Sequence, residues 1–292
     1  MDIVITYVDG NDPVWQADYE KFAGVPVLAK RFRDWGTLKY LLRGVEQYMP
    51  FVRKAHLVVS HVSQVPDWVD TENVNVVLHK DIIPEDYLPT FNSTTIEMFL
   101  HRIPGLDERF IYFNDDMFPV SPCEESDFYR DGKAVIGMTR YIFAFGMYKK
   151  QCRNSDRLAR HSAGVSKSPV FVRPQHICSP MLKSECEKAY ENAEADILKS
   201  LSRLRKTWNY NQYFFLDYMY YHGTLTAAKI SNKHFSTAVA GAEKISDFIR
   251  NPYRKFCCIN DVQMTDEKFT NMRNMILDAF EYRLPVKSRF ER

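Results

Sequence analysis

A chain of 292 residues with 39 Lys and Arg against 37 Asp and Glu, 45% apolar and 14% aromatic side chains, has the composition of a folded protein; disorder and fibrous repeats are excluded. A net charge of +2 is too small for a wholly electrostatic nucleic-acid binder, which gathers about 6–10 phosphate contacts on one face. Anion recognition must be local, and no nucleic-acid partner is expected. No apolar run approaches the roughly 20 residues of a membrane-spanning helix, and the first residues lack a secretion signal, so a cytoplasmic location is expected.

Ile3-Val4-Ile5-Thr6-Tyr7-Val8 is a β-favouring run that ends in Asp9-Gly10-Asn11-Asp12-Pro13, a cluster of turn residues; a buried strand followed by a loop is predicted. Leu38, Leu41, Leu42, Val45, Tyr48 and Met49 recur at helical spacing, and Ala55-His56-Leu57-Val58-Val59-Ser60 is again strand-like. Val74-Asn75-Val76-Val77-Leu78-His79 predicts a third strand. The capping box Thr94-x-x-Glu97 marks the start of a helix, and Pro104-Gly105 its end. Phe110-Ile111-Tyr112-Phe113 supplies a further buried strand. This alternation predicts an α/β fold, a mostly parallel sheet flanked by helices across residues 1–140, in which ligands bind at the carboxyl ends of strands.

Residues 141–170 carry Lys149, Lys150, Arg153, Arg157, Arg160 and His161 with weak periodicity, which predicts a surface insertion or lid. Residues 171–292 are expected to add a helical part and a last core strand. Helices are predicted near 183–203, 209–222 and 267–282, and the strand at 255–259. With no repeat and no Pro-, Gly- or Ser-rich linker, 1–292 is expected to be one domain. Cys123, Cys152, Cys178, Cys186, Cys257 and Cys258 have irregular spacing and no C-x-x-C pair, which predicts reduced core residues.

The sharpest local feature is Asn114-Asp115-Asp116 at the end of an apolar strand. Adjacent carboxylates repel, so a divalent cation, Mg²⁺ or Mn²⁺, is expected to bring them together; the alternative is a polar turn. Asp9 and Asp12 suit a ribose, a metal-bound water or an acceptor sugar, and equally an ordinary turn. His176, between Pro174 and Pro180 and just before a helix, suits a general base. Arg203-Leu204-Arg205-Lys206 suits either a phosphate clamp or a basic helix end. Asn260-Asp261, after Phe256-Cys257-Cys258-Ile259, repeats the pattern of a strand followed by acid. There is no G-x-x-x-x-G-K-[ST], G-x-G-x-x-G, G-x-S-x-G or H-E-x-x-H, so P-loop, Rossmann, esterase and zinc-protease chemistry lose their sequence support.

Asp2-Ile3-Val4-Ile5-Thr6-Tyr7-Val8-Asp9-Gly10-Asn11-Asp12 resembles the first of four segments of the Stealth family of sugar-1-phosphate transferases, which includes bacterial capsular polysaccharide phosphotransferases and the catalytic subunit of the animal lysosomal-enzyme N-acetylglucosamine-1-phosphotransferase. The second segment resembles Arg31-Phe32-Arg33-Asp34 through Leu88-Pro89-Thr90-Phe91-Asn92-Ser93 and His101-Arg102-Ile103-Pro104-Gly105 to Phe113-Asn114-Asp115-Asp116. Residues 176–212 are similar to the third, and 255–261 with the tail 285–291 to the fourth. The resemblance implies a GT-A-like, nucleotide-sugar-binding core. It also implies transfer of a hexose- or N-acetylhexosamine-1-phosphate from a UDP-sugar to a glycan hydroxyl, releasing UMP, in the synthesis of a capsular or cell-surface polysaccharide.

The same resemblance implies His176, Arg205 and Asp116 as catalytic residues, and Asp115, Asp116 and Asn260 as ligands of Mg²⁺ or Mn²⁺. Asp9, Asp12, Arg31, Asn92 and Arg102 are implied as substrate-binding. Cys178 stands where a proline often follows the histidine, and Trp208-Asn209 replaces an acidic pair, so Arg203 and Lys206 compete with Arg205. Two rival expectations remain: a metal-dependent glycosyltransferase releasing UDP, and a non-catalytic glycan-binding subunit. The acceptor is lipid-linked or free. The basic stretch 149–161 is either a solvated loop or a peripheral contact with the inner face of a membrane.

Overall fold

The computed structural model describes residues 1–25 and 32–292, so Arg31 lies outside the described residues. The apolar runs form β1 (Asp2–Thr6), β2 (Lys54–Val59) and β3 (Val74–Leu78), with α1 (Pro13–Ala23) and α2 (Leu38–Tyr48) between the first two. Next come α3 (His79–Ile82), α4 (Ser93–Glu97), β4 (Arg109–Asn114) and β5 (Met117–Pro119). β6 (Tyr129–Arg130), β7 (Lys133–Ile136) and β8 (Met138–Tyr141) lead into α5 (Gly146–Ser162), followed by β9 (Phe171–Pro174) and β10 (Ser179–Leu182). The chain continues with α6 (Lys183–Ser200), α7 (Tyr213–His222), β11 (Leu225–Ala227), β12 (Asn232–Ser236), α8 (Ala242–Arg250), β13 (Phe256–Asn260) and α9 (Asp266–Arg283). The expected α/β sheet flanked by helices is present, and the antiparallel pairing of β10 with β4, together with the smaller sheets, makes the strand directions mixed.

The chain divides into two compact units of three segments each. One comprises Met1–Val4, Val77–Tyr112 and Ser126–Ile230, the other Ile5–Val76, Phe113–Glu125 and Ser231–Arg292. The division falls within β1, β3 and β4, three strands of a five-stranded sheet of order β10-β4-β1-β2-β3.

In the first unit β10 runs antiparallel to β4, with Ser179 opposite Tyr112 and Leu182 opposite Arg109. The Tyr129 hydroxyl crosses this pair, donating to the Phe110 carbonyl at 2.6 Å and accepting from the Met181 amide at 3.1 Å. β7 pairs with β11 in parallel and with β6 antiparallel, and β8 pairs with β9. Residues 141–170, expected as a surface insertion or lid, contain regular structure at 146–162. This is a 17-residue helix, α5, that packs on α7 and β9. Its inward positions are Cys152, Ser155, Asp156, Leu158 and Ala159, mostly small or polar, which is why the periodicity is weak in the sequence. Asp156 accepts the Val172 amide at 3.0 Å and the Arg160 guanidinium at 3.0 Å, which stabilises its buried charge.

In the second unit β12 and β13 are parallel and β13 is antiparallel to β5, with Cys258 opposite Met117. α8 packs on α9, and α2 lies on β5. Gly44 makes that last contact possible, because a Cβ there would stand 2.4 Å from the Pro119 carbonyl oxygen. The loop expected after β1 is short, for Asp12 caps α1, its Oδ1 accepting the Trp15 amide at 2.7 Å, and Pro13 fills the first helical position. Arg43, buried in α2, donates to both oxygens of Glu291, to Glu281 and to the Leu284 carbonyl, fastening the end of the chain to this unit. All six cysteines are buried. Among the described residues no helix is long and apolar enough to cross a membrane.

Candidate active site

Within the second unit the turn Asp115-Asp116 joins β4 to β5, and β13 runs alongside it: the Ile259 amide donates to the Asp116 carbonyl at 2.9 Å, which sets Asn260, the last residue of β13, next to the paired acids. A second segment approaches through Gly10. Its amide donates to the Phe32 carbonyl at 2.9 Å, and a Cβ at this position would lie 2.2 Å from that oxygen. This close approach brings residues 9–12 against 32–36, so that Asp9 and Asp34 flank buried Tyr7. Asp34 accepts the Gly36 amide at 2.9 Å in a turn that requires φ of +68° at Gly36, where the Arg273 guanidinium also crowds the backbone.

The electrostatics follow from that convergence. Burial, then Asp116 and then Asp34, push the Asp115 carboxyl up to about 7, and burial pushes Asp116 up to about 6. Burial, followed by Asp34, Asp9 and Asp115, raises the Tyr7 phenol, which hydrogen-bonds to Asp34. Cys258 donates its thiol to Asp116 Oδ2 at 3.6 Å, while Asp116 Oδ1 is buried with no hydrogen-bond partner. An enclosed carboxylate oxygen with no partner, beside a second carboxylate with an elevated pKa, is a donor set that fits a hard divalent cation. Asp261 accepts the Trp35 indole N–H at 3.1 Å, and burial raises its carboxyl.

In the first unit His176 sits in the bend between β9 and β10 and not directly before a helix. Its neighbour Gln175 is tied on three sides, to the Gly137 carbonyl at 2.7 Å and to the Ile230 carbonyl and amide at 2.8 and 3.0 Å. His176 Nδ1 lies 3.0 Å from the hydroxyl of Tyr213, which lies 2.9 Å from that of Tyr148. Tyr213 is fully buried at the start of α7, and burial raises its phenol far above the usual range. The ring is therefore held by a neutral hydroxyl in a fixed place.

The basic cluster is not a helix end. α6 stops at Ser200, and residues 203–206 lie in the loop beyond it. Arg203 donates to the Asp86 and Leu88 carbonyls at 3.1 and 2.9 Å. Arg205 is exposed, bonded to the Ser93 hydroxyl and close to buried Glu97, whose carboxyl burial raises. Lys206 lies over the Trp208 ring. Fully buried Asn92 caps α4 from the position before Ser93, so the helix starts ahead of the Thr94-x-x-Glu97 box, and Glu97 instead accepts the Gln212 amide at 2.9 Å. The Asn92 amide N–H₂ is spent on the Ser202 carbonyl and Asn209 Oδ1, both at 3.1 Å, holding the loop that carries Arg205. Arg102 reaches Glu194 at 3.8 Å and stacks over Tyr190.

The second unit thus gathers Asp9, Asp115, Asp116 and Asn260, with Asp12 committed to its helix cap. Sequence reasoning passed over Asp34, Tyr7, Cys258 and Tyr213. Asp34 carried a usable signal, an acid two residues before a glycine in a turn, whereas Tyr213 lies far along the chain from His176 and nothing local marks it.

Residues 31–136 match the family model of Stealth protein CR2, conserved region 2. The chain is 30% identical to the receptor polysaccharide phosphotransferase WefC of Streptococcus oralis, over 100% of this chain and 99% of that one. It is 31% identical to the exopolysaccharide phosphotransferase cps2G of Lactiplantibacillus plantarum, over 100% and 96%. The crystal structure of the galactosyltransferase LgtC aligns over 94% of this chain and 95% of that one, at 10% identity and a TM-score of 0.41. Full-length likeness to named phosphotransferases makes the chain a transferase by class. It belongs to the Stealth family.

Proposed function

We propose that this Stealth protein transfers a hexose- or N-acetylhexosamine-1-phosphate from a UDP-sugar to a hydroxyl of a glycan, forming a phosphodiester and releasing UMP, in the assembly of a capsular or other cell-surface polysaccharide. The observation that carries this reading is the 30% identity, over the whole chain, to WefC.

In this reading the acceptor hydroxyl attacks the β-phosphorus in line with the departing UMP, so catalysis consists of positioning and charge stabilisation. Asp115 and Asp116, with Asn260, would hold Mg²⁺ or Mn²⁺, whose charge would offset that of the diphosphate. The buried Oδ1 of Asp116 supports this assignment. His176 accepts the hydroxyl proton at Nε2 while Tyr213 holds Nδ1. Arg205 is favoured over Arg203 for the phosphate oxygens because its guanidinium is exposed, whereas that of Arg203 is bound to two carbonyls.

Incubation with a panel of UDP-sugars, a glycan acceptor and Mg²⁺ should yield UMP and a sugar phosphodiester. UDP with no phosphodiester would assign the protein as a glycosyltransferase, and no nucleotide release with any donor would leave a binding subunit. Asp116→Asn should lower turnover by about 10²–10³. It should also weaken Mn²⁺ binding, followed by electron paramagnetic resonance, by about tenfold or more. Unchanged Mn²⁺ affinity removes Asp116 from the ligand set.

A further inference from the structure

The segment between β8 and α5, with the first turn of α5, presents apolar side chains to water. Ile142 is 58% exposed, Phe143 68%, Phe145 77% and Met147 43%. The rings of Phe143 and Phe145 stack on each other, 6.0 Å apart. Single exposed apolar residues need no explanation, but four within six positions form a patch, and such patches mark interaction sites.

Along this stretch of the chain the charge has one sign. No Asp or Glu occurs between Asp131 and Asp156, a stretch that contains Lys133, Arg140, Lys149, Lys150 and Arg153. Arg140 and Lys150 are exposed, and Lys149 lies over the Tyr141 ring at 5.2 Å. Apolar tips backed by long-stemmed cations match a lipid interface, where the tips enter the acyl boundary and the cations meet anionic headgroups. The exposed tips Ile142, Phe143 and Phe145 offer a glycan no hydrogen-bonding group, and Met147 only a weakly accepting sulfur.

We propose that residues 140–150 are a docking lip for an anionic lipid surface, with Ile142, Phe143, Phe145 and Met147 inserting and Arg140, Lys149 and Lys150 contacting headgroups. The membrane contact thereby moves from the basic face of α5 to the turn that precedes it. Within α5, Arg160 is committed to Asp156.

The full chain would be floated with vesicles of phosphatidylcholine alone and with added phosphatidylglycerol. Binding is expected to the anionic vesicles only and to fall as salt rises. Phe143→Ser with Phe145→Ser should lower it by about tenfold or more. Lys149→Gln and Lys150→Gln should each lower it about fivefold and flatten the salt dependence. Tyr148, whose hydroxyl belongs to the His176 cluster, is left intact. Circular dichroism and thermal midpoints matching the parent verify the fold of these surface variants. Failure of the parent to float with anionic vesicles, or flotation of the double Phe variant and of both Lys variants equal to the parent's, overturns the proposal. So does a double Phe variant that floats normally but has a raised KM for a soluble glycan, which would make the lip an acceptor surface.

Discussion

At the scale of single residues, Tyr213 and His101 show what burial does to a polar group. Tyr213 spends its hydroxyl on His176 Nδ1 and on Tyr148. Tyr213→Phe keeps the ring and removes that hydrogen bond, so turnover should fall about tenfold, the equivalent of about 1.4 kcal/mol. KM should stay near the parent value, because the ring is misplaced and not lost; steady-state kinetics check both. His101 is 5% exposed between the Tyr190 and Phe215 rings, and its Nδ1 is buried with no hydrogen-bond partner. Burial, with Arg102 and Lys183 adding to it, lowers its pKa to about 3. The unfolded chain takes up this proton near pH 6.5 and the folded one does not, so stability falls as pH drops from about 6.5 towards 3. Between pH 7 and pH 5 this one group costs about 2 kcal/mol. His101→Phe should remove that part of the acid sensitivity, measured as denaturant midpoints at the two pH values, and an unchanged difference would refute it. His176 stood out in the sequence because prolines flank it; its partner did not, because a hydrogen bond across space leaves no mark on spacing.

At the scale of elements, helix α2 and the small β5 strand show where packing outranks propensity. Alanine at position 44 would favour the helix by about 1 kcal/mol in isolation. Here its Cβ would stand 2.4 Å from the Pro119 carbonyl, an overpacking that costs about 1–3 kcal/mol. Gly44→Ala should therefore destabilise the protein, by a lower midpoint in urea, and displace β5 and the Asp115-Asp116 turn that feeds it. The strands β1 to β4 were legible as β-favouring runs, and helices α2 and α9 by the helical spacing of their apolar residues. α5 was not, because apart from Leu158 its inner face is built from Gln, Cys, Ser, Asp and Ala, which hydrophobic patterning registers poorly. The start of α4 was misplaced by one capping signal competing with another: Asn92 precedes Thr94, and an Asn cap with a buried side chain prevailed.

At the scale of the molecule, each compact unit takes three separate segments of the chain. A version ending at residue 230 would lack β12, α8, β13 and α9. β5 would lose its antiparallel partner, and buried Arg43 would lose Glu281, Leu284 and Glu291. An unpaired buried charge alone costs about 3–5 kcal/mol, so the second unit should not fold in this version, and limited proteolysis should degrade residues 5–76 where the full chain resists. Survival of that region would show that the last segment is dispensable.

The sequence by itself determined the α/β alternation, the acids that follow strand ends and the family, because turn chemistry, periodicity and motif order are properties of neighbouring residues. Only the tertiary structure decided that Asp9, Asp34 and Asp115 converge on one tyrosine, that Asp116 Oδ1 is left without a hydrogen-bond partner, and that Arg205 is exposed while Arg203 is engaged. Those properties depend on distance and dielectric between residues far apart along the chain, and folding is what sets both.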